Sequence, residues 1–251
     1  MGAMDGFAKT QFSAPIEGKA AAFDVYTMGA GPPVIIMQEL PGIGESTLAL
    51  CRRLAEAGFE VWLPHWFGPL GKVSALNVVR VLCMRREFQM FARDKSSAVT
   101  DWMRALCRHV AATRGVERVG VIGMCLTGNF AMTLIAEPSV WAAIASQPSL
   151  PGRAQGALHM SPEEIAASRA ALETKGAMRA LRFRDDPLCT NAKFDAVDAA
   201  FNDDGRVRVI LDVLPGGGHS VLAGHYDDAP ETPTAKVMAE MLGYLKTQLP
   251  A

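Results

Sequence analysis

Short apolar runs alternate with amphipathic segments along most of the 251-residue chain. Apolar runs of about four to eight residues are typical of buried strands, and apolar residues at helical spacing are typical of helices packed on a sheet. The predicted strands cover residues 23–28, 34–37, 60–63, 119–122, 141–146, 178–183 and 207–214. The predicted helices cover residues 45–57, 95–113, 130–136, 191–201 and 234–249, and a further helix begins with the capping sequence Ser161-Pro162-Glu163-Glu164.

This alternation predicts an α/β fold with a mostly parallel central sheet and helices on both faces. We expect a single domain over residues 5–251, because no repeat, low-complexity tract or linker interrupts the pattern. Residues 71–94, where arginines alternate with apolar side chains, are predicted to form a helical lid or insertion. The loops that follow parallel strands gather at one edge of such a sheet, where binding sites form.

Cys125 lies in the sequence Gly123-Met124-Cys125-Leu126-Thr127-Gly128, between a predicted strand and a predicted helix. A tight turn of small residues around one nucleophile, between a strand and a helix, is the arrangement of a nucleophile elbow. The first N–H groups of the helix would favour the thiolate form of the cysteine. The alternative is a buried cysteine that acts only as a small hydrophobic side chain.

Two further candidates follow predicted strands and should lie at the same sheet edge. Asp185 and Asp186 follow the strand over residues 178–183, and His219 follows the strand over residues 207–214 in a glycine-rich loop. A histidine can exchange a proton near neutral pH, and a carboxylate can hold its ring in one tautomer. The order nucleophile, acid, histidine is that of the α/β-hydrolases. Alternatively, the aspartates cap a turn and the histidine is an ordinary loop residue.

The elbow around Cys125 resembles the G-x-C-x-G-G sequence of the dienelactone hydrolases, which are cysteine-dependent members of the α/β-hydrolase superfamily. The resemblance covers nearly the whole chain. It includes Gln38-Glu39, Ser146-Gln147-Pro148-Ser149-Leu150-Pro151, Asp186-Pro187-Leu188-Cys189 and His219-Ser220-Val221-Leu222. It implies an α/β-hydrolase fold and a hydrolase that acts on small lactones or carboxylic esters.

The resemblance also implies a role for each matching residue. Cys125 would attack the carbonyl carbon and form an acyl-thiol intermediate, with His219 as general base and acid. Asp186 would orient His219, and Asp185 is the second candidate for that role. Glu39 resembles a family glutamate that contacts the resting thiol and helps to ionise it.

The oxyanion hole should consist of two backbone N–H groups, those of Leu40 and Leu126. Such donors stabilise the negative charge that develops on the carbonyl oxygen. Within the elbow, Thr127 stands where the family usually has a glycine. Because threonine is still a small residue, we expect the turn to survive.

A second departure from the family affects the substrate. The family carries an arginine four residues after the histidine, which binds a substrate carboxylate, and here that position is Ala223. Arg85 is a candidate replacement within the predicted lid, as are Arg80 and Arg86, although a solvated helix face is the alternative. Trp66 is a candidate wall for a more apolar substrate pocket, and ordinary core is its alternative.

Composition narrows the classes of function. The formal net charge is −1, so no bulk charge attracts nucleic acid or an anionic membrane. The sequence has no apolar run of the about 18 residues that a membrane span needs, and it has no basic segment leading into a hydrophobic one at its start. We therefore expect a cytoplasmic monomer or homodimer with a small-molecule substrate and neither nucleic-acid nor membrane partners.

Cysteine usage gives a further expectation. The chain has 5 cysteines, an odd number, and no C-x-x-C pair. Neither a disulfide framework nor a zinc site is expected, and we expect no metal or other cofactor. Two alternatives to hydrolysis are a redox sensor that forms a sulfenic acid and a protein that keeps the hydrolase fold without catalysis.

Overall fold

The computed structural model describes residues 2–40, 42–68, 70–71, 98–149 and 155–250. Within these ranges, strands and helices alternate as the sequence predicts. The strands are β1 (Ala8–Ile16), β2 (Lys19–Gly29), β3 (Pro33–Met37), β4 (Glu60–His65), β5 (Val119–Met124), β6 (Val140–Ser146), β7 (Met178–Phe183) and β8 (Val209–Leu214). The helices are α1 (Glu45–Glu56), α2 (Ala98–Arg114), α3 (Leu126–Leu134), α4 (Pro162–Lys175), α5 (Asn191–Phe201) and α6 (Pro233–Gln248).

The eight strands form one sheet in the order β1-β2-β4-β3-β5-β6-β7-β8. β2 pairs with β1 and with β4 in antiparallel orientation, and the other neighbouring strands are parallel. The expected mostly parallel sheet is confirmed. Because β3 and β5 to β8 all run in one direction, the loops at their carboxyl ends meet at one edge.

Two apolar layers cover the two faces of the sheet. In β3, Ile35 and Met37 point into the layer that contains α2 to α5, and Val34 and Ile36 point into the layer that contains α1 and α6. All four side chains are 0% exposed. The alternation follows from the two-residue period of a strand, and it confirms that helices lie on both faces.

Several predicted elements have the bounds that the sequence indicates. The strand over residues 178–183 and the helix over residues 191–201 are β7 and α5. The start of α4 is confirmed in detail. The N–H of Glu164 donates to Ser161 Oγ at 3.3 Å, and the N–H of Ser161 donates to Glu164 Oε2 at 2.9 Å.

One strand is not expected from the sequence, two predicted bounds need correction, and one predicted element lies almost wholly outside the described residues. The pattern does not predict β1, because most of this edge strand is exposed and its sequence has no continuous apolar run. The predicted helix over residues 130–136 is wrong at its start, since α3 begins at Leu126 directly after the elbow. β8 begins at Val209 rather than residue 207. Except for residue 71, the predicted lid over residues 71–94 lies outside the described residues.

Candidate active site

Three strand ends bring the main candidates to one edge of the sheet. Cys125 follows β5, Asp186 follows β7 and His219 follows β8. β5, β6, β7 and β8 are successive parallel neighbours, so their carboxyl ends open on the same side. Residues that are distant in sequence therefore meet at this edge, as expected for an α/β sheet.

Cys125 occupies a sharp turn between β5 and α3. Its backbone has φ 57° and ψ −122°, a conformation that residues other than glycine rarely adopt. Its N–H donates to the carbonyl oxygen of Ser146 at the end of β6 at 3.1 Å. The side chain is 9% exposed and stands at the N-terminus of α3, where the helix dipole favours a negative charge.

Two glycines allow the elbow to close. A Cβ atom on Gly123 would lie 2.1 Å from the carbonyl oxygen of Thr127, and a Cβ atom on Gly128 would lie 2.9 Å from the carbonyl oxygen of Ser146. Both distances are shorter than any normal contact between these atoms. The glycines are therefore required by the close approach of backbone to backbone.

Thr127 supports the turn from within. Its hydroxyl oxygen accepts a hydrogen bond from the N–H of Met124 at 2.9 Å. The same hydroxyl lies within donating distance of two carbonyl oxygens, those of Met124 at 2.9 Å and Met37 at 3.2 Å. Threonine in place of the usual glycine thus ties the elbow to β5 and to the end of β3.

The carboxylate of Asp186 contacts the imidazole of His219. His219 Nδ1 lies 2.8 Å from Oδ2 and 3.0 Å from Oδ1. Oδ1 also accepts the backbone N–H groups of Leu188 at 2.8 Å and Cys189 at 3.0 Å, which fixes the carboxylate. The Asp186 side chain is 0% exposed, whereas Asp185 is exposed. Of the two candidate aspartates, the structure brings Asp186 to His219.

The environment of His219 favours its charged form. Burial lowers the pKa of His219, but the hydrogen bond with Asp186 and the interaction with Cys125 outweigh burial and raise it from 6.5 to about 10. Nε2, the ring nitrogen away from Asp186, has no hydrogen bond of normal geometry within the described ranges. A protonated ring close to Cys125 favours the thiolate.

A second histidine, which sequence reasoning did not identify, supports the loop of His219. His225 Nδ1 accepts hydrogen bonds from the N–H of Ser220 at 3.2 Å and the N–H of His219 at 3.4 Å. Gly218 has φ 125°, and a Cβ atom there would lie 2.8 Å from the His225 ring. The loop therefore needs glycine at this point to pack against His225.

Glu39 contacts the histidine loop. Its Oε1 accepts a hydrogen bond from the Ser220 hydroxyl at 2.8 Å, and its Oε2 accepts one from the Gln147 side-chain amide at 3.3 Å. Burial raises the pKa of Glu39, and the hydrogen bond from Ser220 opposes that increase. Cys125 is not a hydrogen-bond partner of Glu39 in the described part of the chain, so the expected contact with the resting thiol is not seen.

Gln147 links three loops at the sheet edge. Its side chain is 0% exposed, and its backbone has φ 37°. Its Oε1 accepts the N–H of Val221 at 3.2 Å and also the hydroxyl of Ser146, while its Nε2 donates to Glu39. The sequence marked this residue only as part of a family-like segment and gave no indication of these partners.

Ser149 contacts the sulfur of Cys125. The distance between Ser149 Oγ and Cys125 Sγ is 3.3 Å, and the serine is 4% exposed. The N–H of Ser149 also donates to the carbonyl oxygen of Cys125 at 3.1 Å. Sequence reasoning did not assign Ser149 a role, because a serine that follows a strand carries no distinctive signal.

The remaining predicted site residues lie in different settings. Leu126 is the first residue of α3, and Leu40 lies partly buried in the loop after β3. Trp66 is 7% exposed and belongs to the apolar core, with its ring centroid 6.2 Å from that of Trp102. Arg85 lies outside the described residues, so its predicted contact with substrate stays a prediction.

Three general features of the described ranges complete the site. Nowhere in them do three or more His, Cys, Asp or Glu side chains cluster so that they could hold a metal ion. The cysteines described, Cys51, Cys107, Cys125 and Cys189, are free thiols. Among the described helices, none has the length and apolar character needed to cross a membrane.

Comparison with known sequences finds a matching protein family and a curated relative. The profile of the dienelactone hydrolase family matches residues 21–249. A provisionally named carboxymethylenebutenolidase from Methylorubrum extorquens is 28% identical over 147 residues, which are 55% of this chain and 47% of that protein. The matched part of the chain thus spans about half the length of this curated relative.

Solved structures share the fold. A provisionally named dienelactone hydrolase from Klebsiella pneumoniae gives a TM-score of 0.62 at 18% identity, covering 94% of this chain and 98% of the other. A dienelactone hydrolase-like promiscuous phosphotriesterase from metagenomic libraries gives 0.64 at 17% identity, covering 97% and 99%. The α/β-hydrolase fold is confirmed. Because the family profile covers most of the sequence, the chain belongs to the dienelactone hydrolase family.

Proposed function

We propose that the chain is a cysteine-dependent hydrolase of small lactones or carboxylic esters that acts through Cys125, His219 and Asp186. One observation carries the proposal. The buried carboxylate of Asp186, with Oδ2 2.8 Å from His219 Nδ1, holds a partly buried ring that interacts with Cys125, and this cysteine stands in a strained turn at a helix N-terminus. Family membership supports ester or lactone hydrolysis as the reaction class.

In the acylation step, the Cys125 thiolate attacks the carbonyl carbon of the substrate. A C–S bond forms, and the carbonyl π electrons move to oxygen. When the tetrahedral intermediate collapses, the C–O bond to the leaving group breaks, and His219 gives its Nε2 proton to the departing alkoxide. In a lactone, this alkoxide stays attached to the acyl group, so the ring opens.

In the deacylation step, His219 is neutral and accepts a proton from water at Nε2. The resulting hydroxide attacks the acyl-thiol carbon, the C–S bond breaks, and the carboxylic acid leaves as Cys125 regains its negative charge. Asp186 keeps the Nδ1 proton in place and stabilises the imidazolium form through both steps. With Nδ1 occupied by Asp186, Nε2 is the ring nitrogen left to exchange protons with the Cys125 sulfur, the leaving group and water.

The N–H groups of Leu126 and Leu40 are the proposed oxyanion donors. Leu126 begins α3, and the first N–H groups of a helix have no acceptor within the helix. Leu40 lies in the loop after β3, the neighbour of β5 in the sheet. Losing one such donor commonly raises the barrier by about 3 kcal/mol.

The proposed substrates are small and need no carboxylate. Ala223 is 6% exposed and supplies no charge at the position where the family has an arginine. Arg85 remains a proposed substrate contact, whereas Trp66 packs in the apolar core, the alternative that its sequence position left open. We propose a cytoplasmic monomer or homodimer without nucleic-acid or membrane partners, in keeping with the net charge of −1.

Removal of the Cys125 thiol tests the proposal. Cys125→Ala should abolish turnover of p-nitrophenyl acetate and of a panel of lactones and esters that differ in size and charge. Cys51→Ala is the matched control, since Cys51 is buried in the core and burial raises the pKa of its thiol to about 12. Wild-type rates in folded Cys125→Ala would refute the nucleophile assignment. Reversible peroxide oxidation of Cys125 without turnover of any ester would instead favour redox sensing.

A further inference from the structure

The contact between Ser149 and Cys125 is unusual because both groups are buried and both lie at the sheet edge where Cys125, Asp186 and His219 meet. Ser149 Oγ lies 3.3 Å from Cys125 Sγ, and the serine is 4% exposed. Sulfur is the only hydrogen-bond partner of this hydroxyl in the described part of the chain. A buried hydroxyl directed at the nucleophile itself calls for a role in the chemistry.

The backbone of Ser149 is held at both of its polar groups. Its N–H donates to the carbonyl oxygen of Cys125 at 3.1 Å, and its carbonyl oxygen accepts the side-chain amide of Asn129 at 3.0 Å. Asn129 belongs to the first turn of α3, the helix that starts beside the nucleophile, and its amide also donates to the carbonyl oxygen of Leu126 at 3.0 Å. The backbone that carries the Ser149 hydroxyl is therefore fixed relative to Cys125.

A buried lysine sets the orientation of Asn129. Lys193 is 0% exposed, and its amine donates to Asn129 Oδ1 at 3.1 Å and to the carbonyl oxygen of Ala157. Burial lowers the pKa of Lys193 to about 8. Because a protonated amine can only donate, Asn129 must present its oxygen to Lys193 and its NH₂ group to Ser149.

We propose that Ser149 is a further catalytic residue, whose hydroxyl donates a hydrogen bond to the Cys125 thiolate, and that Asn129 and Lys193 are positioning residues for it. The proposal rests on Cys125 as the nucleophile. A thiolate has no proton to give, so next to a protonated His219 the Ser149 hydroxyl is the donor in this pair. Ser149 then shares the stabilisation of the sulfur charge with His219 and with the N-terminus of α3.

The direction of this hydrogen bond has a measurable consequence. If Ser149 donates to the thiolate, removing the hydroxyl makes the thiolate harder to form and more basic. If the thiol donates to Ser149 instead, removing the hydroxyl makes the thiolate easier to form. The pH midpoint of Cys125 reactivity therefore moves in opposite directions in the two cases.

The experiment measures the reaction of Cys125 with 2,2′-dithiodipyridine between pH 4 and pH 10 by stopped-flow absorbance. The thiolate attacks one sulfur of this neutral disulfide, and pyridine-2-thione leaves. The absorbance change of Cys125→Ala, measured in parallel, is subtracted to remove the contribution of the other cysteines. For Ser149→Ala we expect the pH midpoint to rise by about one to two pH units, as a charge-assisted hydrogen bond would require. Above the midpoint, where the thiol is fully ionised, the rate constant of Ser149→Ala should exceed that of the wild type by about threefold for each pH unit by which the midpoint has risen, because a more basic thiolate is more nucleophilic.

Ser168→Ala is the matched control. Ser168 is 0% exposed in α4, and its hydroxyl has no partner in the described ranges, so its removal should leave the pH profile unchanged. Far-UV circular dichroism and a thermal melt check that each variant is folded. A pH midpoint for Ser149→Ala that is unchanged or lower than in the wild type would overturn the proposal.

A double-variant comparison tests the positioning role. Lys193→Met keeps the length of the side chain but removes its donors, and we expect a smaller upward shift of the same pH midpoint. In the Ser149→Ala background, Lys193→Met should add little, because it acts through the hydroxyl that is already gone. An equal shift in both backgrounds would overturn the positioning role. The proposed function is judged separately, since it fails if folded Cys125→Ala retains turnover or if the wild-type protein hydrolyses no ester or lactone, and neither outcome depends on Ser149.

Discussion

Replacement of Asp186 by asparagine is the sharpest test of the histidine–carboxylate pair. The two side chains have nearly the same shape, so Asp186→Asn can keep an oxygen at the Oδ1 position. That oxygen can still accept the N–H groups of Leu188 and Cys189, which lie 2.8 and 3.0 Å from Oδ1 in the wild-type structure. The amide NH₂ group then takes the Oδ2 position, which lies 2.8 Å from His219 Nδ1.

An NH₂ group at that position changes the preferred tautomer of His219. The amide donates to Nδ1 from the nearer position, and Oδ1, 3.0 Å from Nδ1, is already occupied by two backbone N–H groups, so the tautomer with the ring proton on Nε2 is favoured. Nε2 can then no longer take a proton from water, and the imidazolium loses its carboxylate. The same change in a serine triad lowers kcat about ten-thousand-fold. For a thiol, which ionises more readily, we expect kcat to fall by about a hundred- to ten-thousand-fold, or about 3 to 5 kcal/mol in the barrier.

The assay is steady-state hydrolysis of p-nitrophenyl acetate, with kcat and KM measured separately at pH 7. Asp185→Asn is the matched control, because Asp185 is the exposed neighbour of Asp186. We expect its kcat to stay within about twofold of the wild type, as for most surface substitutions. A folded Asp186→Asn enzyme within tenfold of wild-type kcat, or an equal loss in Asp185→Asn, would refute the assignment of Asp186.

Three further predictions concern stability. Gly123→Ala places a Cβ atom 2.1 Å from a carbonyl oxygen and should destabilise the fold by about 3 kcal/mol in urea unfolding, whereas Gly243→Ala, whose Cβ meets no atom within 4 Å, should be neutral or slightly stabilising. Glu39→Gln leaves one acceptor for two donors, so its NH₂ group must face either the Gln147 amide or the Ser220 hydroxyl, and the variant should cost about 1 to 3 kcal/mol in the same assay; an unchanged urea midpoint would contradict the hydrogen-bond network. The contribution of His219 to the free energy of unfolding should fall as pH rises from about 8.5 toward 10, because the native state keeps the imidazolium proton up to a His219 pKa of about 10 whereas the unfolded chain has by then lost the Cys125 thiol proton. A difference between wild type and His219→Gln that stays constant from about pH 8.5 to pH 10 would contradict this origin.

Much of the sheet could be predicted because its strands are buried on both faces. The apolar runs that became β3 and β5 have every residue buried, so the sequence marks them without help from neighbours. β1 escaped prediction for the opposite reason. It is an edge strand with most of its residues exposed, and it depends on pairing with β2.

The candidate site also has residues that the sequence predicts and contacts that it does not. Cys125, Asp186 and His219 could be proposed together because each follows a strand, and the topology of a parallel sheet brings strand ends together. The partners of Glu39 could not, since its hydrogen bonds with Gln147 and Ser220 join residues that are 108 and 181 positions apart. Such contacts depend on side-chain rotamers and loop paths, which local patterns do not encode.

The strained turn at Cys125 has a consequence for selection in the laboratory. Glycine adopts φ 57° and ψ −122° without a steric penalty, whereas cysteine stores about 1 to 3 kcal/mol there. A library screened for heat resistance alone should therefore enrich glycine at position 125, and the survivors would gain robustness while losing their nucleophile. Any selection for a more stable variant of this protein therefore has to measure turnover together with melting temperature in each round.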